Sequence, residues 1–164
     1  MSLKESHSLK FYNYDIVFQE VPGEVTLAVN ISNCPNHCEG CHSPHLWQDI
    51  GEILSETALL DIVAKYDKLI TCVCLMGGDI NAVEIALLLA CVKSEYPLLK
   101  TAWYSGKSSL PLNFPVKHID FLKLGPFMPE HGPLNNPETN QRLFRIGQNF
   151  EMEDITSLFW SEGV

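Results

Sequence analysis

The sequence predicts an α/β fold, either a partial barrel or an open parallel sheet. Two observations carry this reading. Apolar, β-branched runs alternate with helical patterns in the order strand, helix, strand, helix, strand, which implies a parallel sheet with right-handed crossovers. Too few such units fit in 164 residues for a closed eight-fold barrel. In either architecture, ligands belong at the carboxyl ends of the strands.

The elements follow in order. Residues 11–20, FYNYDIVFQE, read as extended, and VPGE at 21–24 as a turn. VTLAVNI at 25–31 is a strand that runs straight into SNCPNHCEGCHSP, residues 32–44. Ser43 and Pro44 offer an N-cap and a first-turn proline, predicting a short helix through about Ile50 that Gly51 ends. Ser55 caps a second helix whose Leu59, Ile62, Val63 and Tyr66 share one face. LITCVCLM at 69–76 is a buried-type strand ending at Gly77-Gly78-Asp79. A third helix starts at Asn81, with Glu84 placed for a capping box, and Pro97 follows its end. TAWYSG at 101–106 and HIDFLKLG at 118–125 are two further strands. The stretch from 125 to 143, rich in Gly, Pro and Asn, reads as irregular and exposed, close to the strand ends.

Composition narrows the function classes. A chain of this length suits one domain, residues 1–164, able to bury roughly 70% of its unfolded surface. Hydrophobic content is 46%, charged content 19%, and the formal charge −9, with basic residues scattered singly. That balance argues against a nucleic-acid backbone or an anionic membrane as the main partner. The longest apolar run, IALLLACV at 85–92, is too short to span a bilayer, and no basic segment leads into an apolar one at the N-terminus. A cytoplasmic location is therefore expected. Six cysteines in a reducing compartment point to metal or redox chemistry rather than disulfides.

Cys34, Cys38 and Cys41 stand in C-x3-C-x2-C spacing, which supplies three metal ligands and leaves a fourth open. A structural zinc would complete its set with His37, His42 or His45, giving a non-catalytic binding module. Structural zinc sites usually pair a C-x2-C half with a second half, however, and Cys41 has no distant C-x2-C partner. A four-iron cluster on three thiolates is the other reading, because it leaves one iron open to a substrate. Cys72 and Cys74 share one strand face; with Cys91 they read as small buried residues.

The three-cysteine loop after one strand, followed by Gly-Gly-Asp after the next, resembles the radical S-adenosylmethionine (SAM) superfamily. Chain length, CPNHCEGCHSP and LGPF…TNQR resemble, within it, the activases of the anaerobic ribonucleoside-triphosphate reductase, which are glycyl-radical-enzyme activases. The likeness runs from about residue 12 to residue 146. It implies an incomplete TIM-like barrel of the radical SAM type. It also implies a [4Fe-4S] cluster on Cys34, Cys38 and Cys41, with SAM chelating the fourth iron. The activity implied is reductive cleavage of SAM to a 5′-deoxyadenosyl radical, which installs a glycyl radical on the reductase's glycyl radical subunit. A low-potential donor such as flavodoxin would supply the electron. Among the cofactor-binding residues it implies, Gly77 and Gly78 would let the backbone approach SAM. Asp79, one methylene shorter than the family's usual glutamate, would accept from the ligated amino group. Ser105 and Lys123 match positions near SAM. Gly40 stands where many relatives have an aromatic residue over the adenine, and His42 is one candidate to replace it. The same chemistry directed at a small molecule or peptide is the alternative within the superfamily.

Overall fold

The computed structural model describes residues 8–160. The chain forms β1 (Lys10–Val17), β2 (Thr26–Ile31), β3 (Glu52–Ile53), α1 (Glu56–Tyr66), β4 (Cys72–Met76), α2 (Ala82–Glu95), β5 (Lys100–Tyr104), β6 (Phe121–Leu124), β7 (Arg142–Ile146) and β8 (Met152–Asp154). All eight strands join one sheet in the order β3-β1-β2-β4-β5-β6-β7-β8. The inner four, β2, β4, β5 and β6, run parallel. Antiparallel strands extend the sheet at both sides, β1 and β3 on one and β7 and β8 on the other.

This architecture corrects the expected partial TIM-like barrel. The protein is a mixed, mostly β sheet with only two α-helices among the described residues. A barrel needs a helix after each parallel strand, yet residues 105–120, which join β5 to β6, contain none. The extended segment at 11–20 turns back at 21–24, where the Glu24 amide donates to the Val21 carbonyl at 3.1 Å. It therefore pairs antiparallel with β2, a direction its composition does not encode.

Period-two alternation separates the two faces of the sheet. Leu27, Val29, Ile31, Val73, Leu75, Trp103 and Leu122 point to the face covered by both helices. There they meet Leu59, Ile62 and Val63 of α1, and Ile85, Leu88, Leu89 and Val92 of α2. Cys72, Cys74, Ala102, Tyr104 and Phe121 point to the opposite face. No α-helix among the described residues covers that side; Val21, Leu134, Ile155 and Phe159, the last in a 3-10 turn, pack against it instead. The face that would line a barrel is thus partly covered by the chain's own connecting segments.

Local signals placed both helices. Ser55 Oγ accepts from the Ala58 amide at 3.0 Å, and Asn81 Oδ1 from the Glu84 amide at 3.2 Å. The helix expected after Ser43-Pro44 is instead a single 3-10 turn, Pro44–Trp47, and Ser43 makes no side-chain cap. Four residues bury no side chain there, so packing does not extend the turn. β7 begins at Arg142, within the end of the stretch read as irregular.

Leu88 is fully buried whereas Leu98 is 96% exposed. Leu88→Ala should cost about 2–5 kcal/mol in urea unfolding, and Leu98→Ala should stay within about 0.5 kcal/mol of wild type. Equal effects would overturn the assignment of the core to the α2 side of the sheet.

Candidate iron–sulfur site

Because β2, β4, β5 and β6 are parallel, the turns that follow them gather along one edge of the sheet. The cysteine loop follows β2, Gly77-Gly78-Asp79 follows β4, Ser105 follows β5, and Lys123 lies near the end of β6. Backbone bonds tie the loop to the 3-10 turn: the Asn33 amide donates to the Gln48 carbonyl and the Cys34 amide to the Leu46 carbonyl. Asn33, His37 and Gly40 adopt positive φ (59°, 44° and 72°), which bends the chain tightly around the cysteines. His37 stacks on Trp47 at 4.8 Å, His45 meets the edge of Tyr12, and His42 lies 5.3 Å from Phe127. All three histidines pack against aromatic rings.

Asp79 joins the turns to one another. Its Oδ1 accepts from Ser105 Oγ at 2.5 Å. Its Oδ2 accepts from the Gly106 amide at 2.8 Å and from Asn36 Nδ2 at 2.7 Å. The same Asn36 nitrogen lies 3.6 Å from Cys34 Sγ and donates to it. The two motifs singled out in the sequence therefore touch through a residue that was not. Asn36 sits inside CPNHC, but nothing in the sequence pairs it with a carboxylate 43 positions away. Gly77 and Gly78 adopt φ of 104° and 89°, and a Cβ on Gly78 would come within 2.5 Å of the Ile85 side chain. The Trp103 indole donates to the Gly77 carbonyl at 2.7 Å, pinning the turn.

Lys123 is buried, with 9% exposure. Its ammonium donates to the carbonyls of Ser105 and Gly125, both at 3.0 Å, and lies 5.6 Å from the Tyr104 ring centre. Burial pulls its pKa down to about 8, opposed by the charges of Asp79, Cys38, Cys74 and Cys34. Burial likewise pushes the Cys72 thiol up to about 12 and Cys74 well above its ordinary value, so both are inert apolar groups. Cys91, expected to be buried, is only partly so, because it sits at the margin of the buried face of α2.

On the helix-free face a cavity of ≈ 800 Å³ opens beside Cys41 and Lys123. Glu20, Tyr104, Phe127 and Gln141 help line it, residues the sequence did not single out. Burial holds the Glu20 carboxyl above the usual carboxylate range. Asp79 and Ser105 do not line this cavity.

Residues 21–146 match the family model described as a 4Fe-4S single cluster domain. The chain belongs to that family. Neither a curated protein nor a solved structure matches it. The matched stretch contains all three loop cysteines, Gly77-Gly78-Asp79, Ser105 and Lys123. The loop fits such a cluster on its donor chemistry. Its three thiols are partly exposed and free of disulfides, and soft thiolates suit iron–sulfur clusters. Two of the sulfurs already accept hydrogen bonds, Cys34 from Asn36 and Cys41 from the Ser43 amide at 3.4 Å. Among the described residues no three His, Cys, Asp or Glu side chains gather as ligands of a single ion. A cluster instead takes one thiolate on each of several irons. No helix among the described residues is long and apolar enough to cross a membrane.

Lys123 gives the site a measurable pH signature. Its folded pKa, about 8, lies below the ordinary value of 10.5. The folded protein therefore releases this proton first, and folding gains stability as pH rises from about 8 to 10.5. In cluster-free protein, the stability of wild type relative to Lys123→Met should rise over that window by up to about 3 kcal/mol. Below pH 8 the difference should be flat. A difference that falls through the window would contradict the burial assigned to this ammonium.

Proposed function

We propose that this iron–sulfur protein reductively cleaves SAM and installs a glycyl radical on an anaerobic ribonucleoside-triphosphate reductase. The observation that carries this reading is the bond between the two motifs, Asn36 of the three-cysteine loop to Asp79 of the Gly-Gly-Asp turn. It makes the thiolate loop and the glycine turn one site. The reading needs strand ends on a common edge and does not need a barrel.

When bound, cluster and SAM together supply the chemistry: one low-potential electron, delivered by a donor such as flavodoxin, splits the sulfonium C–S bond into methionine and a 5′-deoxyadenosyl radical, which takes a hydrogen atom from the partner's glycine. The residues of this chain hold and orient. Cys34, Cys38 and Cys41 provide three thiolates, leaving one iron position for a ligand that is not protein. Gly77 and Gly78 present bare backbone beside that loop. Ser105 fixes the Asp79 carboxylate. Lys123 brings a buried positive charge to the wall of the cavity that Cys41 also lines, a place suited to a ligand carboxylate or hydroxyl. Phe127 and His42 form an aromatic pair on the same wall, where a purine ring can pack.

The segment from 125 to 141 borders this opening through Phe127, Leu134 and Gln141. In the proposed complex it receives the partner's glycine loop. The size of the cavity supports a second reading, in which a small molecule or peptide is the hydrogen donor.

Anaerobic reconstitution tests both. Reduced protein should convert SAM to 5′-deoxyadenosine, and Cys38→Ala should lower the rate to background while leaving the fold intact. A glycyl radical signal on added reductase selects the first reading, whereas 5′-deoxyadenosine without that signal selects the second. Absence of 5′-deoxyadenosine from fully loaded protein would sink both.

A further inference from the structure

We propose that Asp79 is a positioning residue, acting through Asn36 on the Cys34 end of the thiolate loop rather than by touching the bound ligand. Its SAM arm rests on the function proposed above; its cluster arm rests on the family alone.

Three observations converge. The first is occupancy. An ionised carboxylate offers about four acceptor sites, and three of those on Asp79 are filled by Ser105, Gly106 and Asn36 at 2.5–2.8 Å. Bonds of this length to a charged acceptor are among the stronger ones available.

The second is direction. The cavity beside Cys41 has Lys123, Tyr104 and Gln141 in its wall, and neither Asp79 nor Ser105. The carboxylate lies in the seam between the cysteine loop and the turn after β5, bonded to both.

The third is fit. The Asn36 amide has two hydrogens, one available for Asp79 Oδ2 at 2.7 Å and one for Cys34 Sγ at 3.6 Å. A Cβ on Gly106 would lie 2.5 Å from that nitrogen, so the amide occupies space that only glycine leaves. A glutamate at position 79, one methylene longer, would carry its carboxylate past these donors and into the amide. The short side chain is thus matched to Asn36, which gives the departure from Gly-Gly-Glu a physical reason.

The consequence falls on the cluster. A donor aimed at a ligating sulfur withdraws electron density and raises the reduction potential. Asp79 keeps the Asn36 donor aimed.

The test is a double-mutant cycle on the reconstituted full chain: wild type, Asn36→Ala, Asp79→Asn and the double variant, with iron and sulfide content confirming equal loading. Loss of the charge at position 79 shifts the potential by itself, but equally with or without Asn36, so it cancels in the cycle. In redox titrations followed by electron paramagnetic resonance, Asn36→Ala should lower the midpoint potential when Asp79 is present. With Asn at position 79 that shift should be lost. An identical shift in both backgrounds overturns the relay. In SAM titrations of the same signal, each single variant should weaken binding about tenfold and the double variant no further. A loss from Asp79→Asn that persists undiminished beside Asn36→Ala shows direct contact and also overturns it. If Asp79→Asn does not load, Ser105→Ala replaces it in the cycle, loosening the same carboxylate while keeping its charge. Wild type that ignores SAM would refute the proposed function, and the potentials would still decide the relay.

Discussion

The parallel pairing of β2, β4, β5 and β6 is the constraint on which the site depends. Parallel strands place successive turns on one edge, so strand ends 20 to 45 residues apart in sequence (Ile31, Met76, Tyr104 and Leu124) become neighbours without any further device. The first two crossovers are held by ordinary packing: α1 and α2 bury Leu59, Val63, Ile85 and Leu88 against the strands they connect. The Trp103 indole, buried in the same core, reaches up to the Gly77 carbonyl and couples that packing to the turn above it. Core and site are therefore mechanically continuous, and the glycine turn inherits its geometry from the helix-side face.

Charge is distributed around the edge with some care. The chain is strongly acidic overall, yet the site includes a cation, Lys123, that is buried and held by two backbone carbonyls. Carbonyl ligation orients the ammonium without neutralising it, so its charge remains available to the cavity and the thiolates. Asp79 shows the opposite arrangement, with donors crowded onto a partly exposed carboxylate. An anion held by neutral donors and a cation held by neutral acceptors sit within one set of turns, linked through Ser105, whose hydroxyl serves Asp79 and whose carbonyl serves Lys123.

The failed expectation of a barrel has a specific cause. The strand–helix alternation between residues 25 and 106 is genuine, but it does not continue outward into a curved, helix-clad sheet. At both margins the chain instead doubles back, and antiparallel pairing needs only a tight turn, such as that at 21–24. The opposite face is then partly covered by Val21, Leu134, Ile155 and Phe159, single apolar residues outside the strands and α-helices that carry no periodic signal. The four-residue turn after Ser43 has the residue types of a helix start but buries no side chain, which separates helix initiation from helix stability.

By itself the sequence determined the local and covalent facts. The spacing of Cys34, Cys38 and Cys41 follows from chain connectivity, the caps at Ser55 and Asn81 from side-chain chemistry within one turn, and the strand faces from period-two alternation. It also placed the cysteine loop and Gly77-Gly78-Asp79 at strand ends, with Ser105 and Lys123 inside strand candidates. What those residues touch was decided by tertiary structure alone. The donors on Asp79, the carbonyl cradle of Lys123, the cavity beside Cys41 and the antiparallel margins all depend on strand order and on contacts between distant segments. Propensity and periodicity act over a few residues, whereas the bond from Asn36 to Asp79 exists only because two parallel strands end side by side.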